Sequence, residues 1–169
     1  MAKVHIIAAA GLAAAAFALV APATANASAS VQVSNGSLFV NGSGGADTIF
    51  VTGQGGGVFA VTANGISAGA GCTKTGDTSV RCTGVTGTLR IFAGGGNDAV
   101  RLRQSNGVQS DVRGGGGEDQ LIGSDSGKDF LFGEDGNDTL SGSGTDFLNG
   151  GTGFDKCTAV ADRTNCEST

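Results

Sequence analysis

Residues 114–158 read GGGGEDQLI GSDSGKDFLF GEDGNDTLS GSGTDFLN GGTGFDKCT, five consecutive copies of one short unit. Their aspartates, Asp119, Asp129, Asp138, Asp146 and Asp155, are spaced 10, 9, 8 and 9 residues apart. Each is followed two residues later by Leu121, Leu131, Leu140, Leu148 or Cys157. Upstream, AGGGNDAVR (93–101) places Val100 after Asp98 in the same way, and the more degenerate GSGGADTIF (42–50) places Ile49 after Asp47. Seven copies of one register are a tandem repeat. A three-residue strand sends its middle side chain to one face and both neighbours to the other, so each copy predicts a Gly-rich turn and a short strand with one inward aliphatic.

This unit resembles the RTX family, glycine-rich nonapeptide repeats of pattern GGxGxDxUx that form a calcium-binding parallel β-roll. The resemblance is close over 93–158, weaker at 42–50 and absent from the rest of the N-terminal stretch. It implies an all-β fold, a parallel β-roll or β-solenoid preceded by an irregular β-rich region. In the family two repeats complete one coil, so turns two copies apart stack. Asp119, Asp138 and Asp155 then share one edge, and Asp129 and Asp146 share the other. Residues 102–113 fit as an odd half-coil with a carboxylate-free turn at Ser105, Asn106 and Gly107 and a strand at 108–112, which stacks Asp98 over Asp119. The resemblance places calcium between the Asp98/Asp119, Asp119/Asp138, Asp138/Asp155 and Asp129/Asp146 turns, about three or four ions. The backbone carbonyls of Gly114, Gly116, Gly133, Asp135, Gly150 and Thr152 are the expected companions.

Elementary physics points the same way. One inward side chain per nine residues makes a thin core, too small to offset the conformational entropy of the residues it orders. Carboxylates stacked at the roughly 4.8 Å spacing of neighbouring strands repel one another unless a counter-ion intervenes. Calcium is hard, takes 6 to 8 oxygen ligands, and accepts both carboxylates and the carbonyls of a Gly-rich turn. The alternative is that these Asp residues serve only as turn formers. Phosphate-cradle and EF-hand readings fail: no Gly-Lys-Ser/Thr follows the Gly runs, and the twelve-residue loop with its terminal Glu is missing.

Residues 1–27 read as a secretory leader, with Lys3 and His5 before an apolar run at 6–20 and small-x-small cleavage sites in 21–27. About 15 apolar residues fall short of the roughly 20 that span a bilayer, so no membrane span is expected after cleavage. His5 is the chain's single His, so the exported protein would carry no imidazole and no His-dependent catalysis. Residues 28–110 hold three acids against five basic residues, whereas 111–169 hold twelve against four. That acidity excludes nucleic acid, whose phosphates require Lys/Arg clusters, and favours a cation. The 32 Gly, out of 169 residues, must sit where the backbone turns.

Export permits disulfides, and the four Cys are expected to pair locally, Cys72 with Cys82 and Cys157 with Cys166. Zinc lacks both a Cys-x-x-Cys and a mature His. The second bridge would close the open end of the roll, making 159–169 a disulfide-tied cap. Short β-branched segments at 31–33, 38–40, 48–52, 58–62, 79–82 and 89–92 predict β structure through 28–92, with Asn64 and Gly65 as a turn. They fit a small sandwich or the first coils of the roll equally well. Phe130 and Phe147, two repeats apart, should sit side by side on the outer face.

Catalytic signatures such as His-Glu-x-x-His and Gly-x-Ser-x-Gly are missing, so the chain is not expected to be an enzyme. The leading expectation is a secreted, extracellular calcium-binding protein that folds on calcium. The alternative is a calcium-stabilised adhesion or polysaccharide-binding module that meets a cell-surface glycan or protein. Classical members of the family leave by a C-terminal export signal, so nothing known of their toxins carries over.

Overall fold

The computed structural model describes residues 28–158 and 162–167, all β and turn without helix. The leader read at 1–27 lies outside the described residues. In chain order the first strands are β1 (Ser30–Ser34), β2 (Ser37–Asn41), β3 (Thr48–Gly55), β4 (Val58–Thr62), β5 (Ser67–Ala68), β6 (Cys72–Lys74) and β7 (Ser79–Cys82). There follow β8 (Leu89–Gly95), β9 (Ala99–Arg103), β10 (Ser110–Gly116), β11 (Gln120–Ile122) and β12 (Asp129–Asp135). The last are β13 (Thr139–Ser141), β14 (Phe147–Thr152), β15 (Lys156–Thr158) and β16 (Asp162–Thr164).

The strands form two eight-stranded sheets, ordered β16-β14-β12-β10-β8-β2-β1-β5 and β15-β13-β11-β9-β3-β4-β7-β6. From β8 onward the chain crosses to the other sheet at every step, and from β10 each strand pairs in parallel with the one two places earlier. The inward aliphatics therefore stack in columns. In one sheet Ile49, Val100, Leu121, Leu140 and Cys157 stand opposite one another in turn. In the other the column is Val40, Ile91, Val112, Leu131 and Leu148. All ten are at most 4% exposed, and the core is the space between these columns.

The choice between a sandwich and further coils at 28–92 resolves into one pair of sheets with two kinds of pairing. Strands β2 and β3 still run parallel to β8 and β9. Beyond them the pairing turns antiparallel, in β1/β2, β3/β4, β4/β7 and β6/β7, with only the short β5 parallel to β1, and Phe59 fills the interior. Asn35 and Gly36, at φ 48° and 74°, make the two-residue turn of the β1/β2 hairpin. Asn64 and Gly65 do turn the chain, but they carry it from the second sheet to the first rather than closing a hairpin.

Two expectations need correction. The half-coil strand begins at Ser110 rather than 108, because Val108 is drawn into the turn by its N–H bond to Ser105 O. The strands of the first sheet are also longer than expected from 89–92, from 108–112 and from the three-residue strand of each repeat. β8, β10 and β12 each span seven residues, because the opening Gly-rich residues of the turns pair with one another, as at Gly94, Gly115 and Glu134.

Both disulfides join the expected partners, Cys72 with Cys82 and Cys157 with Cys166. The first links paired residues of β6 and β7 at the sheet edge. The second ties the C-terminal segment to the last inward position of the repeat.

Candidate metal centre

Stacking turns two copies apart produces a carboxylate ladder along one edge. The backbone N–H of Asp98 donates to Asp119 Oδ1, that of Asp119 to Asp138 Oδ1, and that of Asp138 to Asp155 Oδ1, each at 2.8 Å. Asp47, from the degenerate early copy, joins the ladder by donating to Asp98 Oδ1 at 2.7 Å. All five aspartates are buried, at 3% exposure or less. One oxygen of each of Asp98, Asp119, Asp138 and Asp155, the Oδ2, is buried and accepts no hydrogen bond. Such a group in a dry interior is costly unless a partner satisfies it.

The space beside these oxygens exists because the first turn residue is Gly. A Cβ on Gly114 would collide with Asp119 Oδ2 and lie 2.8 Å from Gly133 O. One on Gly133 would meet Asp138 Oδ2 and Gly150 O. Each cradle is thus walled by a carboxylate oxygen of one turn and a carbonyl of the turn stacked on it, a hard-oxygen donor set that fits calcium. The first such turn has Ala93 at this position, so there a methyl group lines the wall. The carbonyls of Gly116, Asp135 and Thr152 each already accept an N–H from the neighbouring turn, from Gly96, Gly117 and Gly136 at 2.7, 2.9 and 2.9 Å. A carbonyl has a second lone pair, so these oxygens keep capacity for a cation.

The opposite edge is built differently. Asp129 N–H donates to Asp146 Oδ1 at 2.8 Å, so the expected stacking is present. Here every carboxylate oxygen accepts a hydrogen bond. Asp129 Oδ1 takes Ser110 Oγ–H at 2.6 Å, and its Oδ2 takes the N–H and Oγ–H of Ser124 at 2.6 and 3.0 Å. Asp146 Oδ2 takes the Ser143 N–H at 2.6 Å. The second turn residue makes the difference. It is Ser124 or Ser143 on this edge, but Gly94, Gly115, Glu134 or Gly151 on the other, where φ is 113°, 111°, 76° and 109°. The left-handed backbone turns the N–H of residue 2 away from the carboxylate. Asp47 shares the Ser contacts, with Ser43 N–H and Oγ–H bonded to its Oδ2 at 2.6 and 2.8 Å, but its Oδ1 is buried and accepts no hydrogen bond.

Sequence reasoning overlooked these serines. The available signal was the second letter of each turn, Gly-Ser against Gly-Gly or Gly-Glu. Ser110 holds the Asp position of the half-coil, standing opposite Asp129. Ser105, in the carboxylate-free turn, bonds to Ser126 O across the stack.

Electrostatics follow from this burial. The Asp98 carboxyl is pushed up to about 6, first by burial and then by Asp119 and Asp47 beside it. Asp138 is likewise pushed to about 6 by burial, with Asp119, Asp155 and Asp135 adding to the rise. Burial raises Asp119 as well, and raises Asp129 against the lowering effect of its Ser110 and Ser124 bonds. Among the described residues no three His, Cys, Asp or Glu side chains converge on one point. A cation in the ladder would therefore depend on carboxylates together with backbone carbonyls.

On the outer face of the first sheet Phe130 and Phe147 are paired neighbours with ring centroids 6.2 Å apart, as expected. Phe132 joins them 5.9 Å from Phe147, and Arg113 lies over Phe132 and Phe92 at 5.2 and 5.9 Å. Arg90 covers Phe39 and Lys128 covers Phe130 in the same manner.

Residues 124–157 match the family model of the RTX calcium-binding nonapeptide repeat, in four copies. This stretch is thus a run of RTX repeats of the calcium-binding type. Comparisons with curated proteins and with solved structures gave no match. No helix among the described residues is long and apolar enough to cross a membrane.

Proposed function

We propose that this is a secreted calcium-binding protein whose repeats form a parallel β-roll that folds on extracellular calcium, acting by binding and not by catalysis. The observation that carries this reading is the row of buried, unpartnered Oδ2 atoms on Asp98, Asp119, Asp138 and Asp155, with cradles kept open by Gly beside Asp119, Asp138 and Asp155. Millimolar calcium outside the cell would satisfy these oxygens and offset the mutual repulsion of the ladder, so that binding energy becomes folding energy. Inside the cell scarce calcium would leave the repeats open for export. Two disulfides and the leader-like start at 1–27 support an oxidising, extracellular destination.

Calcium titration by calorimetry and far-UV circular dichroism, with magnesium as control, tests this. Cooperative uptake of several ions with a gain of β signal is expected. Full β signal in chelator with no calcium uptake would leave the aspartates as turn formers. A second reading, a docking surface for a glycan or protein stabilised by calcium, is favoured by the five phenylalanines, Phe39, Phe92, Phe130, Phe132 and Phe147, on one sheet face. Calcium-dependent retention on immobilised glycans would support it.

A further inference from the structure

The C-terminal segment after the last repeat imitates the turn that would come next. Gly150 stands to Asn165 O as Gly133 stands to Gly150 O: a Cβ on Gly150 would collide with that carbonyl and with Asp155 Oδ2. Asn165 is in the left-handed region, at φ 49°. The Asp155 N–H, which on the ladder pattern should donate to an Asp of the following turn, donates instead to Glu167 Oε2. Asp155 is 1% exposed and its Oδ2 accepts no hydrogen bond.

The register explains why the last carboxylate is a glutamate. Along the ladder the residue after each Asp donates its N–H to the preceding Asp carbonyl, as Thr139 does to Asp119 O and Lys156 to Asp138 O, both at 2.8 Å. Glu167 N–H makes this bond to Asp155 O, and Glu167 is bridged to Lys156. Glu167 thus occupies the position after the Asp, and Cys166 occupies the Asp position itself. A side chain one methylene longer than Asp reaches back from there to the same N–H. Cys166 is tied by its disulfide to Cys157 in the core column, which holds Asn165 and Glu167 against the last turn.

We propose that Asp155, Glu167 and the Asn165 carbonyl form a terminal calcium site, built by the disulfide-tied cap outside the repeat motif. The inference rests on calcium binding by the ladder and adds one ion to it. Calcium stoichiometry of the purified protein, by titration calorimetry and by native mass spectrometry, tests it on wild type, Glu167→Gln, Glu167→Asp and Glu118→Gln. Glu167→Gln keeps an acceptor for the Asp155 N–H but loses the charge, and Glu167→Asp is too short to reach. Both are expected to bind one ion fewer than wild type with the β signal retained. Glu118→Gln, which removes an exposed acid from a turn, is expected to bind the wild-type number. Equal ion counts in wild type and both Glu167 variants would overturn the terminal site while leaving the ladder intact. A wild type that takes up no calcium would overturn both.

Discussion

The two edges of this molecule carry the same aspartates in the same stacking and differ in what happens to the second carboxylate oxygen. On the edge of Asp129 and Asp146 the polypeptide satisfies it, through Ser124 and Ser143. On the edge of Asp98, Asp119, Asp138 and Asp155 the oxygen is buried without a partner. One backbone torsion at the second turn residue separates the two cases: left-handed at Gly115 or Glu134, and outside that region at Ser124 and Ser143. The Asp of the repeat motif alone therefore does not distinguish a cation-dependent turn from a self-sufficient one. Under the proposed function, one edge depends on calcium and the other holds the fold by hydrogen bonds.

Replacing the corresponding Asp on each edge should break this contrast most visibly. Asp119→Asn removes a charge shared by two successive turns, and we expect loss of up to two ions and at least a tenfold higher calcium midpoint in a dichroism titration. Asp129→Asn should leave the ion count unchanged and lower the melting temperature of the calcium-loaded protein. Identical responses of the two variants would end the distinction.

Acidity should sharpen it. Asp98 and Asp138 have carboxyl pKa values raised by burial from 3.8 to about 6 in the ion-free protein. A raised carboxyl pKa means that the folded ladder holds its protons more tightly than the unfolded chain does, so ion-free stability is greatest below 3.8 and is lost as pH climbs through about 6. In chelator the β signal should therefore increase on lowering pH from 7.5 to 5. In calcium the same change should weaken binding about tenfold, because protons compete for the carboxylates. Calorimetry at the two pH values reads this directly.

Smaller effects should fall on the self-sufficient edge and the outer face. Ser124→Ala deletes the Oγ–H bond to Asp129 and should cost about 1–2 kcal/mol in the calcium-loaded protein, by chemical denaturation, with calcium uptake unchanged. Phe132→Ala, which loses the Phe147 and Arg113 contacts, should cost about 1 kcal/mol and leave calcium uptake unchanged.

Much of this architecture was legible in the sequence. The period of the Asp and Leu positions located the turns, the inward columns and the stacking partners, since a two-strand winding leaves little freedom once its register is set. The Cys pairs followed from short separations. Less legible was the antiparallel end, where β-branched segments separated by Gly carry no period and suit parallel or antiparallel pairing alike. Ser110 and Ser124 went unread because a serine in a Gly-rich turn looks like any other small residue until its N–H and Oγ are seen against a carboxylate. Glu167 was hidden by its position, one residue beyond the place where the repeat would put an Asp.

The most direct test of the two-edge account is to locate the ions themselves, in crystals of the calcium-loaded protein, from the anomalous scattering of calcium. The account predicts peaks beside Asp98, Asp119, Asp138 and Asp155 and none between Asp129 and Asp146. Peaks on the Asp129 and Asp146 edge, or a ladder edge without any, would contradict it.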